Sequence, residues 1–413
     1  MATQDIRDFG ARVDGQSDDT DAVNAAIDAA ASGDTVLIPA GTTRVAANSG
    51  SAVSIDGSIA DDVAIAGVGP DTLVEMGDVD DSRNSRCIGI DASGGTIRGL
   101  EIRDMRISGN KSVNSNKSSF GLEVYPRGDG HDIYIHDVAA IDSSGKGFAI
   151  GGGTVRLERI TATGNTRHGV EFRAPSRSWG EWAVHASDVL AENNGGLGID
   201  HNGGSAFIER FWLENNGQGG AKVPWKVKES WWKDGTFVRN RTMGFRFNGD
   251  YSNQRYSPMR IHLNNVRARE HPYGGFWLAG DVEYDIDDLV SIENNRNDEQ
   301  HSNIDVRHKA KLKAGSIYAA DAGYGTGMFF ASDSQSTISR YQHANNPDGP
   351  ISGPDQSNVD IKTMESGRPP AQSLPQKDEL GAWSNNTSPK SYSATLSLDG
   401  GGIHTAGGLI QTR

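Results

Sequence analysis

Cysteine is nearly absent. Cys87 stands alone among 413 residues, so no internal disulfide can staple the fold. Long apolar runs are missing as well. No stretch approaches the roughly 18 consecutive apolar residues of a membrane-spanning helix, which excludes membrane insertion by that route. No basic-then-apolar segment opens the chain, so the protein either stays inside the cell or leaves by a route without a signal peptide, such as lysis that frees virus particles; an extracellular or virion-surface location is the expectation. Positive charge is scarce, with 13 Lys and 27 Arg set against 38 Asp and 16 Glu. The net charge of −14 argues against nucleic acid as a partner. Nothing resembles a P-loop, a dinucleotide fingerprint, a zinc ligand set or a nucleophile elbow.

Glycine is what the chain has in excess, at 52 residues and without a collagen period. Much of it punctuates a repeat. Asn165-Thr166-Arg167-His168-Gly169 precedes Val170-Glu171-Phe172, and the phrase returns at 194–198, 216–220 and 240–244. Weaker copies fall at 143–147 and 270–274, so successive glycines lie 22, 29, 22, 24 and 30 residues apart. A unit of this length cannot bury its own apolar face, so copies must stack. Its short alternating runs and Gly/Asn turns predict an all-β fold, a right-handed parallel β-helix in which each repeat is one coil.

The ends differ from the middle. Residues 1–45 read as a cap: Asp8-Phe9-Gly10-Ala11, Asp14-Gly15 and Asp18-Asp19-Thr20 are turn-rich. Thr20 is the expected N-cap of a short helix carrying Val23, Ile27 and Ala30 on one face, with Gly33 ending it. Thr35-Val36-Leu37-Ile38 then reads as a buried strand, and Pro39-Ala40-Gly41 as a turn. This order of motifs resembles the opening segment of pectate-lyase-superfamily β-helix proteins, which include polysaccharide lyases, glycoside hydrolases and viral tailspikes. The resemblance is specific in residues 5–45 and one of repeat style over about 60–332. It implies the fold and a carbohydrate ligand, and it carries no catalytic residue. The solenoid is expected over 46–332. Residues 333–413, rich in Pro, Gly, Ser and Asn, are expected to form an irregular C-terminal tail that serves assembly.

Strand alternation turns the repeat into a site prediction. If Val170 and Phe172 point inward, Glu171 points out. Glu123, Ala149, Glu171, Asp200, Lys222, Arg246 and, if Gly275 sets the register, Trp277 then form one column. Glu171 and Asp200, on adjacent coils, have the spacing of a retaining glycosidase pair, one the acid and the other the nucleophile. A lyase would instead use Arg246 or Lys222 to remove the proton beside a uronate carboxylate, with Ca²⁺ held by Glu171 and Asp200; no other cofactor is implied. The plainer alternative is an inter-coil charge ladder. His201 breaks the apolar alternation, and a buried, hydrogen-bonded histidine is expected there. Six of the eight tryptophans fall in or beside the segments after the glycines. Trp179, Trp231, Trp277 and Tyr251 are expected to offer sugar-binding faces beside Lys222. The expected protein is thus a surface-glycan-binding, polysaccharide-degrading hydrolase or lyase on a virion spike. The alternative is a non-catalytic virion structural or receptor-binding protein on the same scaffold. Its partners would be a cell-surface glycan, other virion proteins and two further copies of itself, because the tailspikes it resembles are trimers.

Overall fold

A computed structural model describes residues 1–47, 50–79, 85–91, 95–115, 118–125, 131–173, 183–247, 259–297, 301–354, 356–367, 374–383, 398–399 and 402–403. The chain is a right-handed parallel β-helix. Long strands and short strands alternate along the sequence. Each pairs in parallel with its counterpart one coil on, the long ones in a 17-stranded sheet and the short ones in a 12-stranded sheet.

The long strands each bend in the middle. Asp132–Ile141 and Thr154–Thr163 pair from His136 to Glu158 and again from Val138 to Ile160, skipping Asp137 and Arg159. The skipped residues are left-handed, with φ of 52° and 48°. Asp104, Asp188, Arg210, Asp234 and Asn265 sit at the same bend in other coils. Asp and Asn tolerate this conformation. The two arginines at it are tied across coils, Arg159 to Asp137 at 2.7 Å and Arg210 to Asp188 at 2.7 Å.

The turn that follows carries the Asn of the repeat, and these side chains point into the molecule. The Asn165 N–H and Nδ2 donate to Asn194 Oδ1, those of Asn194 to Asn216 Oδ1, and those of Asn216 to Asn240 Oδ1, all between 2.9 and 3.2 Å. His271 continues the ladder, its Nδ1 accepting from the Asn240 N–H. The Gly four residues after each Asn is needed for close approach: a Cβ on Gly198 would lie 2.8 Å from the Gly220 carbonyl and 2.9 Å from Asn216 Nδ2. Inside, Phe211, Trp232, Phe237, Phe245 and Phe276 stack from coil to coil. Full burial of each contributes about 1.5–3 kcal/mol.

Three expectations are corrected here. Helix α1 spans Thr20–Ala29, so Thr20 is its first residue and Asp19 its N-cap, and it stops short of Gly33. The Asp19 carboxylate accepts the N–H groups of Arg12 and Val13 instead of capping the helix. The coils do not end at Ser332. Gln335–Ala344, Ile351–Ser352 and Val359–Ser366 go on stacking, their apolar alternation thinned by Ser, Thr and Arg. Residues 374–383 then fold back. The Lys377 Nζ reaches Glu192 (2.5 Å) and Glu214 (3.0 Å), and the Ala382 N–H donates to Thr161 Oγ1. No helix among the described residues is long and apolar enough to cross a membrane.

Candidate active site

The short strands set out one row of side chains on their outer face. Val170–Arg173 pairs Glu171 with Asp200, and the next coils add Lys222, Arg246, Trp277, Asp305 and Phe329 at the same position. Glu123 and Ala149 precede them. Val170, Phe172, Phe245 and Phe247, one residue to either side, are in the core. Successive rungs stand roughly 4.8 Å apart.

The outward carboxylates are not solvated. Glu171 is 5% exposed and Asp200 2%. Their partners come from the preceding turns and strand ends. Lys146 donates to Glu171 Oε2, and Arg173 lies 3.6 Å from it. Arg86 and Arg173 pair with Glu123. Asp200 Oδ2 faces Lys222 Nζ at 3.1 Å and His168 Nε2 at 3.5 Å. The Leu197 N–H donates to His168 Nδ1, so the ring proton sits on Nε2, toward Asp200. Burial pushes the His168 pKa down to about 4, so the ring is neutral near pH 7. Burial raises the Asp200 pKa against the pull of Lys222. Among the described residues, Asp200 Oδ1 is buried with no hydrogen-bond partner, and so is Arg246 Nε. Burial also lowers the Arg246 pKa.

The charge-ladder account therefore holds for Asp200 and Lys222 and stops at Arg246, which has no ion-pair partner among the described residues. The retaining-glycosidase account needs a free nucleophile and an open cleft. Glu171 is buried and ion-paired with Lys146.

The aromatic residues divide. Trp277 is on the row. Trp231 is not: it lies in Val227–Val238, a long strand on another side, with its ring 3.5 Å from that of His262. Period-2 alternation sends its neighbour Trp232 into the core, where Nε1 donates to Ser230 Oγ. The same serine meets His201 Nδ1 at 2.9 Å, which accounts for that buried histidine. Trp179 and Tyr251 lie outside the described residues. A groove of about 470 Å³ lies beyond His262, lined by Arg260, Glu283, Asp285, Lys311 and Lys313 among others. Its acids and bases face one another, Arg260 at 3.5 Å from Glu283 and His262 at 3.6 Å from Asp285, and it is not part of the row.

Sequence reasoning missed the far end of the row. Asp305 accepts from His301 Nδ1 (2.9 Å) and faces Arg307 (3.4 Å), whose guanidinium lies between the rings of Trp277 and Phe329. The signal was present as Ile304-Asp305-Val306, but Asn303 replaces the glycine that announces the other coils.

Known proteins share this architecture. Residues 4–55 match the family model described as rhamnogalacturonase A/epimerase, pectate lyase-like. The fold is that of the pectate-lyase-like β-helices. A 151-residue segment, 35% of the chain, is 36% identical to mannuronan C5-epimerase AlgE4 of Azotobacter vinelandii and spans 27% of that protein. A 111-residue segment, 26% of the chain, is 40% identical to alginate lyase 7 of the same organism and spans 12% of it. The solved A-module of AlgE4 superposes with a TM-score of 0.63 at 18% identity, over 90% of this chain and 100% of the module. Full-length tailspike protein 2 of Escherichia coli O157:H7 bacteriophage CAB120 gives 0.53 at 13% identity, over 88% of this chain and 46% of the tailspike. At these identities the two structural likenesses are of fold.

Proposed function

We propose that the protein acts on an acidic, uronate-containing polysaccharide by exchanging the proton on C5, the carbon that bears the carboxylate. The observation that carries this is Arg246. A guanidinium on the row with no ion-pair partner among the described residues suits a uronate carboxylate, which it can hold through two parallel N–H bonds. The epimerase and the lyase that share sequence with this chain support the reading, because both activities begin by removing that proton.

Arg246 holds the sugar carboxylate and stabilises the charge that develops on it as the C5–H bond breaks. Lys222 is the partly exposed member of the Lys222–Asp200 pair. Lys222 in its neutral form takes the C5 proton, and the Asp200 carboxylate 3.1 Å away stabilises the ammonium that results. His168 Nε2–H orients Asp200. The electron pair then has two fates. A proton returned to the opposite face of C5 gives the epimer. Alternatively the pair forms the C4=C5 double bond, the C4–O4 bond breaks, and the leaving oxygen takes a proton.

The Glu171–Asp200 pair does not fit Ca²⁺. Each carboxylate already carries a cationic side chain, and no three His, Cys, Asp or Glu gather as a metal-binding group among the described residues. Display on a virion and assembly as a homotrimer belong to the same proposal, with the tailspike likeness of fold as support.

Incubation with polymannuronate, polygalacturonate and an α-1,3-glucan tests the reading. An ultraviolet-absorbing unsaturated product or a changed C5 configuration from a uronate polymer is expected, undiminished by a chelator. New reducing ends without unsaturation would reinstate the hydrolase. Binding without any product would make the protein a receptor-binding module.

A further inference from the structure

The two coils that carry Asp200 and Lys222 contain a charge conflict. Glu192 and Glu214 end neighbouring long strands and stand directly opposite one another in the parallel register. Like charges so placed repel. Their side chains are only 19% and 10% exposed, so water screens the repulsion little. Glu214 is shared among Arg239, the Trp212 Nε1–H and Lys377. Glu192 has one cationic partner among the described residues, Lys377, whose Nζ lies 2.5 Å from it and 3.0 Å from Glu214. Lys377 belongs to the returning segment, which is also fixed elsewhere. The Gly381 N–H donates to the Asp188 carbonyl, the Ala382 N–H to Thr161 Oγ1, and Leu380 is buried.

The corner that holds this conflict leads straight into the row. Glu192 stands as far before Asp200 in sequence as Glu214 does before Lys222. Between them the two coils are tied turn to turn. The Asn193 N–H donates to the Glu214 carbonyl at 3.1 Å, Asn215 Nδ2 to Asn193 Oδ1 at 2.7 Å, and Asn194 Nδ2 to Asn216 Oδ1 at 3.0 Å. Next comes the Leu197 N–H, which holds the His168 ring against Asp200. We infer that Lys377 is a positioning residue for the Asp200–Lys222 pair: a cation supplied by the C-terminal segment cancels the Glu192–Glu214 repulsion and keeps the two coils at the spacing that sets the pair 3.1 Å apart. This rests on the role given to that pair above. Without the ammonium the corner opens, and the misplacement is passed along the turn to the row. Displacing a reacting group by about 1 Å costs on the order of 100-fold in rate, so a fraction of that shift is enough to matter.

Lys377→Ala in the full chain is expected to lower kcat on polymannuronate roughly tenfold with KM unchanged. It should also speed hydrogen exchange of the Asn193 amide by about the same factor, which needs no substrate. Lys377→Arg keeps the charge and restores both readings. Lys377→Ala combined with Glu192→Gln restores both as well, because it removes the repulsion instead of supplying the cation, and Glu192→Gln alone keeps wild-type activity. A lysine that only tied down the tail would be replaced by arginine and not by a change at Glu192. Wild-type kcat and amide exchange in Lys377→Ala overturn the inference, and so does failure of Glu192→Gln to rescue. If wild type turns over no uronate polymer while the exchange pattern follows this order, the proposed function falls and Lys377 stands as the residue that spaces the two coils.

Discussion

At the residue scale, one rung separates a structural charge from a functional one. Lys222 and Asp200 pair across 3.1 Å, whereas Arg246, one coil further, has no ion-pair partner among the described residues. Alternation alone put Glu171, Asp200, Lys222, Arg246 and Trp277 side by side, so the row was legible in the sequence. The burial of Glu171 and Asp200 was not, because Lys146 and His168 come from turns whose side-chain directions alternation does not set. Trp231 was misplaced because the segment after Gly220 was expected to present it beside Lys222, while Val227–Val238 is the next long strand. Arg246→Ala is expected to lower kcat/KM on polymannuronate by about 100-fold, the scale of losing one donor to a developing oxyanion. Asp200→Asn should cost at least as much, chiefly in kcat, because it removes the charge that stabilises the Lys222 ammonium and keeps the shape. Steady-state kinetics on the two variants, with circular dichroism as the folding control, checks both.

At the element scale the turn is the stressed part. The sequence showed its Asn and Gly as punctuation. Their physical task, an internal ladder with a glycine pressed against the next coil, became visible only with the coils stacked. Gly198→Ala forces a methyl group to within 2.9 Å of both the Gly220 carbonyl and Asn216 Nδ2, so it is expected to destabilise by about 2–3 kcal/mol in denaturant melts. His271 does the work of an asparagine with a titratable ring. Burial holds its pKa near 4, below the 6.5 of an unfolded histidine. Between those values the unfolded chain binds the proton and the folded one does not, so stability is intact above pH 6.5 and is lost as pH falls toward 4. The expected loss is roughly 3 kcal/mol from this group. His271→Asn keeps an acceptor for the Asn240 N–H and should lessen the fall in melting temperature between pH 6.5 and 4, the rest of which comes from His168 and His201, whose pKa values burial also lowers. An unchanged pH profile would contradict this account of the turn.

At the scale of the whole molecule, the solenoid and its N-terminal cap follow from the repeat and the opening motifs. The C-terminal limit does not, because coils 335–366 keep the alternation with fewer apolar residues. Residues 374–383 return along their own chain and are pinned there by Lys377, which places part of the expected assembly tail in the monomer fold. The homotrimer is therefore a proposal about the surface of the solenoid and the residues beyond 383. Light scattering of the full chain at micromolar concentration should give three times the 44.1 kDa chain mass. A monomer would contradict it and leave the single-chain site untouched. The central claim is that this row moves a proton at C5 of a uronate, and solvent exchange reads that step directly. Polymannuronate incubated with the protein in D₂O should gain deuterium at C5 or in the product derived from it, and Arg246→Ala should suppress the gain. Turnover of the polymer with no deuterium at C5 and no unsaturated product would contradict the account.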